Sequence, residues 1–491
     1  MRRTNATMTT KTAIRHLALT LPAMALLAPA AGFAQAPNQT PLNTAPTTQQ
    51  IAPPGGVPAL PGQPAATQIQ TMESIAPAGG VTQTTQGIYP GGPGQTPQAI
   101  TAQTTARSVT VQSRQRPDYD PAGVRIGGFR YDAALDLGMG WDDNLQPANA
   151  GKDSDAFFVQ GVNLSAASTW TRHALGITAS QQTRQYVQYN DQNWLDYSAG
   201  INGRYDIGRA SSIGASYRRV HSHLATDNFD LQGEGIQRPI PYDSDIFTLN
   251  GVAAFNRLAI RPSATFSTIR YEEETINGQR TNNSNNDYDS LLGEVETEYS
   301  LVPGRSLLGL VRVQDINYTS EGQGGRDSFT WEVQGGFNYD LTGLWQARLL
   351  VGYRQRNYED PSRKNLEGLA FEGQLVWLPS QLTTVTLAAS RTIEESIRQS
   401  SVSYTRTAGG VTVDHELLRN VILTGEIRAE HRDYPDVGNV TDGIGLIGAR
   451  YLINRNLSLI ADYQHTERLS APSGFREYGI NQVQVRLRIA L

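Results

Sequence analysis

The chain has 491 residues, of which 38% are hydrophobic, 8% aromatic and 18% charged, with 47 Gly, 25 Pro and no Cys. The missing cysteine excludes a thiolate nucleophile, a Cys-based zinc site and a disulfide framework, and the charge falls below the roughly 25% of ordinary soluble domains. The net charge is -5, the cations are nearly all Arg (Lys only at Lys11, Lys152 and Lys364), and no Lys/Arg-rich block occurs, so a nucleic-acid-binding stripe is not expected.

Arg2, Arg3, Lys11 and Arg15 precede an apolar run that closes on Gly32, Phe33 and Ala34. A basic head, an apolar middle and a small-residue end read as a secretory signal peptide over residues 1–34. Pro22 and Pro29 interrupt the run, which is shorter than the roughly 20 residues a membrane-spanning helix needs. Cleavage removes four basic and no acidic residues, shifting the net charge from -5 to -9. Residues 35–116 then read as a disordered periplasmic linker. In its stretch 35–106 Pro, Gln, Thr, Ala and Gly dominate, and Glu73 is the one charged residue. Such a composition buries too little apolar surface to offset its ordering entropy.

From residue 117 to 491 the pattern changes to alternation with period two, which sends successive side chains to opposite faces of a strand. Phe129, Tyr131, Leu135, Leu137, Met139 and Trp141 share one face; Arg130, Asp132, Asp136 and Asp142 share the other. Phe329, Trp331, Val333, Phe337, Tyr339 and Leu341 repeat this, as do Val483, Val485, Leu487, Ile489 and Leu491 near the end. Tight connections (Thr171 to His173, Gly208 to Ala210, Asn256-Arg257, Val302 to Arg305, Thr342-Gly343, Pro379 to Gln381, Leu418 to Asn420, Asn454 to Asn456) alternate with longer polar ones, such as 144–155, 225–243, 273–286, 320–327, 359–364 and 469–474. The count is 18 strands. An even number of antiparallel strands with short turns on one side and long loops on the other predicts an all-β transmembrane barrel. With a signal peptide ahead of it, its membrane is the outer membrane of a Gram-negative cell, with the linker and the C-terminus on the periplasmic side.

Proline placement agrees, because Pro cannot donate to a ladder: past Gly128 every Pro except Pro262 is expected in a connection. Dry all-β sandwiches and propellers use strands nearer five or six residues. Trp345 and Trp377 beside tight turns, and Trp141, Phe329 and Trp331 beside long loops, are placed as two interfacial girdles.

A barrel of 18 strands is wide enough for an aqueous channel, so its inner face should carry function. The alternation puts Glu294, Glu296 and Glu298 on that face, opposite Arg312, and pairs Glu332 with Arg354 near Arg348 and Arg356. Glu426, Arg428, Glu430 and Arg432 line a further strand, and Arg486 and Arg488 the last. These residues are expected either to contact solute or to brace the wall with ion pairs; mixed signs imply no strong ion selectivity. His221 and His223 share a strand face near Asp227, and His415 lies between Asp414 and Glu416, but no nucleophile elbow or H-E-x-x-H helix accompanies them. Asp142-Asp143-Asn144 offers fewer oxygens than calcium takes. No catalytic residue, metal or cofactor is therefore expected.

The stretch Arg116-Pro117-Asp118-Tyr119-Asp120-Pro121-Ala122-Gly123-Val124-Arg125-Ile126-Gly127-Gly128-Phe129, followed by Trp141-Asp142-Asp143-Asn144, resembles the opening of the outer-membrane β-barrel porin family of alphaproteobacteria, of the β-barrel porin-2 type. Trp170-Thr171-Arg172-His173-Ala174-Leu175 and Asp196-Tyr197-Ser198-Ala199-Gly200 are similar to its next hairpins. The resemblance runs from about Arg116 to Leu491 and implies an outer-membrane barrel, sometimes associated with exopolysaccharide loci; it brings no catalytic residues. Leu491 stands where outer-membrane barrels usually end in an aromatic. The expected partners are outer-membrane lipid, the barrel insertion machinery, and small polar solutes or a polysaccharide, with no nucleic acid. Three readings stay open: a porin-like channel, passive or gated; a non-conducting envelope anchor whose linker meets periplasmic partners; and, least favoured, a rim hydrolase that would depend on His221 or His223.

Overall fold

The computed structural model describes residues 109–491 apart from 209, 234–235, 277–278, 282, 321–323, 342 and 399; the expected signal peptide and most of the linker lie outside the described residues. Among the described residues, eighteen long strands of 12 to 16 residues follow one another along the chain. The first six are β1 (Phe129–Asp142), β2 (Asp155–Ser168), β3 (Ala174–Tyr186), β4 (Trp194–Ile207), β5 (Ser211–Leu224) and β6 (Ile240–Phe255). The middle six are β7 (Leu258–Tyr271), β8 (Tyr288–Val302), β9 (Arg305–Tyr318), β10 (Ser328–Leu341), β11 (Trp345–Tyr358) and β12 (Leu366–Ser380). The last six are β13 (Thr383–Glu395), β14 (Ser403–Leu418), β15 (Val421–Tyr434), β16 (Gly438–Leu452), β17 (Leu457–Ser470) and β18 (Gly479–Ala490).

Each strand pairs antiparallel with its chain neighbours, and β1 also pairs with β18, Ala134 opposite Ala490 and Asp142 opposite Gln482. That last ladder closes the sheet on itself. Every strand exceeds the roughly 9–11 residues that cross a bilayer. A short strand, Val124–Ile126, pairs with the start of β1, and a small hairpin, Glu274–Ile276 with Gln279–Thr281, decorates the loop before β8.

The two faces separate as the alternation requires. Leu137, Met139, Trp141, Phe158, Phe247, Leu291, Val311, Phe329 and Val483 point outward and are exposed, up to 75% for Ile427. Trp345 and Trp377 stack on that face with ring centroids 5.0 Å apart. Two-residue turns need backbone that few side chains adopt: Asn256 and Gly304 supply it at φ 49° and 81°.

Three prolines depart from the connections. Pro241 and Pro379 sit inside the ends of β6 and β12. Pro262 is tolerated differently: it keeps its place opposite Val295 of β8, while the ladder to β6 skips the pairs between Asn250–Ser263 and Ala253–Ile260. A gap in one ladder, with no shift of register, absorbs the missing donor.

The interior is not uniformly wet. Leu308, Leu310 and Leu350 form a buried apolar cluster on the inner face of β9 and β11. Gly336 and Gly352 lie in the same wall, where a Cβ would fall about 1.8 Å from a carbonyl oxygen of the neighbouring strand. Only a residue without a side chain permits that close approach.

Candidate functional site: the lumen wall and its two closures

The inner face gathers the charge. Register sets Glu294 on β8 opposite Arg312 on β9. Arg312 reaches Glu294 at 2.7 Å, Glu332 at 3.1 Å and, three strands away, Glu372 at 2.8 Å. Arg354 faces Glu332 in register and bonds to it. Arg348 crosses from β11 to Glu296, and Arg261 on β7 holds Glu296 and Glu298 at 3.3 and 2.6 Å. Arg356, only 1% exposed, pairs with Glu395 and donates to Thr330 Oγ1 at 2.9 Å.

A second network covers β14 to β18. Arg406 forks onto Glu430 at 3.1 and 2.7 Å, and Arg428 and Arg432 each approach the same carboxylate at 3.4 Å. Glu426 meets Arg428 at 3.3 Å, and Asp442 is shared by Arg432 (3.2 Å) and Arg468 (2.8 Å). Arg486 meets Asp462 at 3.1 Å, while Arg488 forks onto Asp136 at 2.7 and 2.8 Å. Each wall residue selected from sequence is thus in an ion pair. The partners Asp136, Arg261, Glu372, Arg406, Asp442 and Asp462 were not selected as site residues, although their inward parity along each strand marks them. Forked Arg–carboxylate pairs fix geometry as well as charge, and removing one partner of such a buried pair costs about 3–5 kcal/mol.

Both mouths are narrowed by the chain itself. At the long-loop end, loop 225–239 carries a single helical turn, α1 (Phe229–Gly233), and leaves β5 to reach the opposite wall. There Tyr434 donates to Asp230 Oδ1 at 2.8 Å, Arg468 donates to Gln232 Oε1 at 2.5 Å, and Tyr478 donates to the Asp227 carbonyl at 2.8 Å. Phe229 packs among Tyr404, Tyr434 and Val440 under the Arg398 guanidinium. Leu231 and Ile236 join Ile397 and Val402 of the loop after β13 in a buried cluster against the inward rings of Tyr242, Tyr271, Tyr288 and Tyr318. Burial pushes the Asp227 carboxyl up to about 7 despite the nearby Arg468, and raises Asp230 as well.

At the short-turn end, residues 109–116, which the sequence assigns to the linker, dock against the inner wall. The Val111 amide donates to Thr384 Oγ1 at 2.9 Å, and its side chain packs with Tyr119 on Ile422 and Leu452. Gln112 donates to Asp414 Oδ1 (2.7 Å) and accepts from Arg450 (2.9 Å). Arg114 and Arg116 converge on Glu416 at 3.1 and 2.8 Å.

Residues 116–491 match the family described as "Putative beta-barrel porin 2". The chain belongs to this β-barrel porin family. No curated protein matches it. Solved structures with similar architecture include OccAB2 of Acinetobacter baumannii (10% identity, 74% of this chain and 99% of that one, TM-score 0.44). OpdK, an outer membrane protein of Pseudomonas aeruginosa, is similar at 10% identity over 74% of this chain and 99% of its own, with a TM-score of 0.40.

In this porin the histidines singled out by sequence are committed elsewhere than to one centre. His223 bonds Asp196 at 2.8 Å and stacks on Trp194, while His221 bonds Asp243 at 3.0 Å. Asp227 lies in the loop by Arg468 and Tyr478, and His415 contacts Thr383 across its strand pair. Asp142 accepts from the Asn144 amide and from Gln482, and Asp143 from Asn481, so those carboxylates tie the first loop to β18.

Proposed function

We propose that this porin is a gated outer-membrane channel for small polar solutes or a polysaccharide strand, closed in the described state by its own segments. The observation that carries this reading is loop 225–239: it arises on β5 yet bonds to Tyr434 of β15 and Arg468 of β17, across the lumen. A segment placed there narrows the path between the mouths, and it is held by a small apolar cluster around Phe229, Leu231 and Ile236 together with a few side-chain hydrogen bonds. The wall is polar and charged, and the arginines left part-exposed within their ion pairs, Arg348 and Arg428, can turn further donors to carboxylates or sugar hydroxyls, which supports a conduit. Both described ends of the barrel chain meet at the short-turn end, which supports a periplasmic location for the linker and C-terminus. An alphaproteobacterial origin, a cleaved leader and a link to exopolysaccharide production belong to this proposal, on the family resemblance and the signal-like N-terminus.

Planar-bilayer recordings test it. The full chain should conduct in small, infrequent steps, and a variant lacking 226–236 should conduct at least tenfold more. Silence from both would overturn the channel reading.

The second reading, an envelope anchor, is favoured by the buried Leu308, Leu310 and Leu350 inside the wall. Deleting 35–106 separates the two, since a channel keeps its conductance whereas an anchor loses its envelope phenotype.

A further inference from the structure

On the outer wall, above the apolar belt at the long-loop end, three side chains from separate elements converge. They are His221 near the end of β5, Asp243 near the start of β6 and Glu272 just past β7. The register places His221 directly opposite Asp243, so the fold builds this contact from residues 22 positions apart. His221 Nδ1 lies 3.0 Å from Asp243 and 3.8 Å from Glu272, and all three ligand atoms fall within 4.8 Å of one another.

The geometry points to a divalent transition-metal site of the zinc class at His221, Asp243 and Glu272. Around an ion bound at about 2.1 Å, tetrahedral donors stand about 3.4 Å apart. The observed separations bracket that value, and the Glu272 side chain is half exposed and free to close the remaining gap. One nitrogen with two carboxylate oxygens suits Zn²⁺ or Mn²⁺ better than Ca²⁺ or Mg²⁺, which take all-oxygen sets.

Supporting contacts orient two of the ligands. The His221 ring is stacked on Tyr197 with centroids 4.8 Å apart and planes 12° from parallel. The other oxygen of Asp243 accepts from Arg219 at 2.8 Å, leaving one oxygen turned toward His221. Such outer contacts fix ligand orientation in metal sites.

Charge agrees too. Arg219 is shared between Asp243 and Asp245, and Arg270 is taken by Asp289. Asp243, Asp245, Glu272, Asp287 and Asp289 thus share this edge with two guanidiniums, and the excess of negative charge favours a divalent cation. Three protein ligands leave one position open to water or to an anionic oxygen.

The test is calorimetric titration of the full folded chain in detergent micelles with Zn²⁺. One ion per chain is expected, weakened at least tenfold by Glu272→Gln and by His221→Gln, with His223→Gln unchanged. Glu272→Gln decides the matter, because its side chain lies on the loop outside the ladder and its loss leaves the barrel pairing intact. No binding at millimolar Zn²⁺, or binding that survives Glu272→Gln, would overturn the site.

Discussion

The two closures of the lumen are made of different materials. The long-loop closure is mainly an apolar core: Phe229, Leu231 and Ile236 are buried against tyrosines on the inner ends of the strands. The short-turn closure has one apolar anchor, Val111, and otherwise rests on Gln112, Arg114 and Arg116 reaching Asp414 and Glu416. Hydrophobic burial is non-directional and insensitive to moderate salt, whereas charge-assisted bonds depend on a single geometry and on the charge of a few groups. The first closure should therefore answer to bulk and to buried acids. The second should answer to one carboxylate.

The largest effect is expected at Glu416, the carboxylate that both Arg114 and Arg116 share. Among the described residues Glu416→Ala leaves the two guanidiniums with carbonyl partners alone, that of Gln381 for Arg114 and those of Val111 and Arg114 for Arg116, and removing the carboxylate of such a buried pair costs about 3–5 kcal/mol. Trypsin added to the folded protein in micelles should then cut after Arg114 roughly a hundredfold faster than in the parent; the bond after Arg116 leads into Pro117 and is not a tryptic site. Among the described residues the long-loop closure shares no contact with Glu416, and it should stay protected. Equal cleavage of both proteins would show that Val111 alone holds the segment.

How far each region was readable from sequence follows the same divide. Strand alternation is local, so the outward set from Phe129 to Trp141 and the inward charges on β8, β9 and β15 could be placed by parity. Glu332 opposite Arg354 followed from a short turn, because a tight hairpin fixes register. Contacts across the lumen had no such ruler. Nothing in residues 225–239 says that Asp230 will meet Tyr434, 204 positions later. Nor does the composition before Arg116 announce that Gln112 will find Asp414. Proline parity misled at two strand ends: Pro379 falls in the irregularity between Trp377 and Ser380, and Pro241 keeps its place opposite His223 one residue inside its strand, using its carbonyl to accept from the Glu272 amide.

A smaller effect separates the closures by pH. Asp227, held near 7 by burial, faces Arg468 and Arg432 as well as Asp442 and Asp142. An acid whose folded value is raised binds more protons in the closed state than in the open one between about 4 and 7. Closure by loop 225–239 therefore weakens as pH rises through that window and changes no further above it; Asp230, raised in the same direction, adds to the trend. Conductance should climb from pH 4 to 7 and level off. Asp227→Asn keeps the backbone contacts to Arg468 and Tyr478 and removes the charge, so its profile should be flatter. A parent whose conductance falls over this range would contradict the assignment.

The smallest effect concerns salt. Raising ionic strength from about 0.1 M to about 1 M shortens the screening length from roughly 10 Å to roughly 3 Å. Arg114 is 24% exposed and its partner lies near the mouth, so its bond to Glu416 is open to screening, while Arg116 beside it is only 7% exposed and is screened less. Tryptic cleavage after Arg114 should accordingly rise a few-fold at high salt. The contacts of loop 225–239 should tighten if they change at all, because burial of Leu231 and Ile236 against the tyrosines removes apolar surface from water. A salt response of the same sign and size at both ends would mean that the two closures share one material after all, and that Val111 contributes more to the short-turn end than its neighbours' charges do.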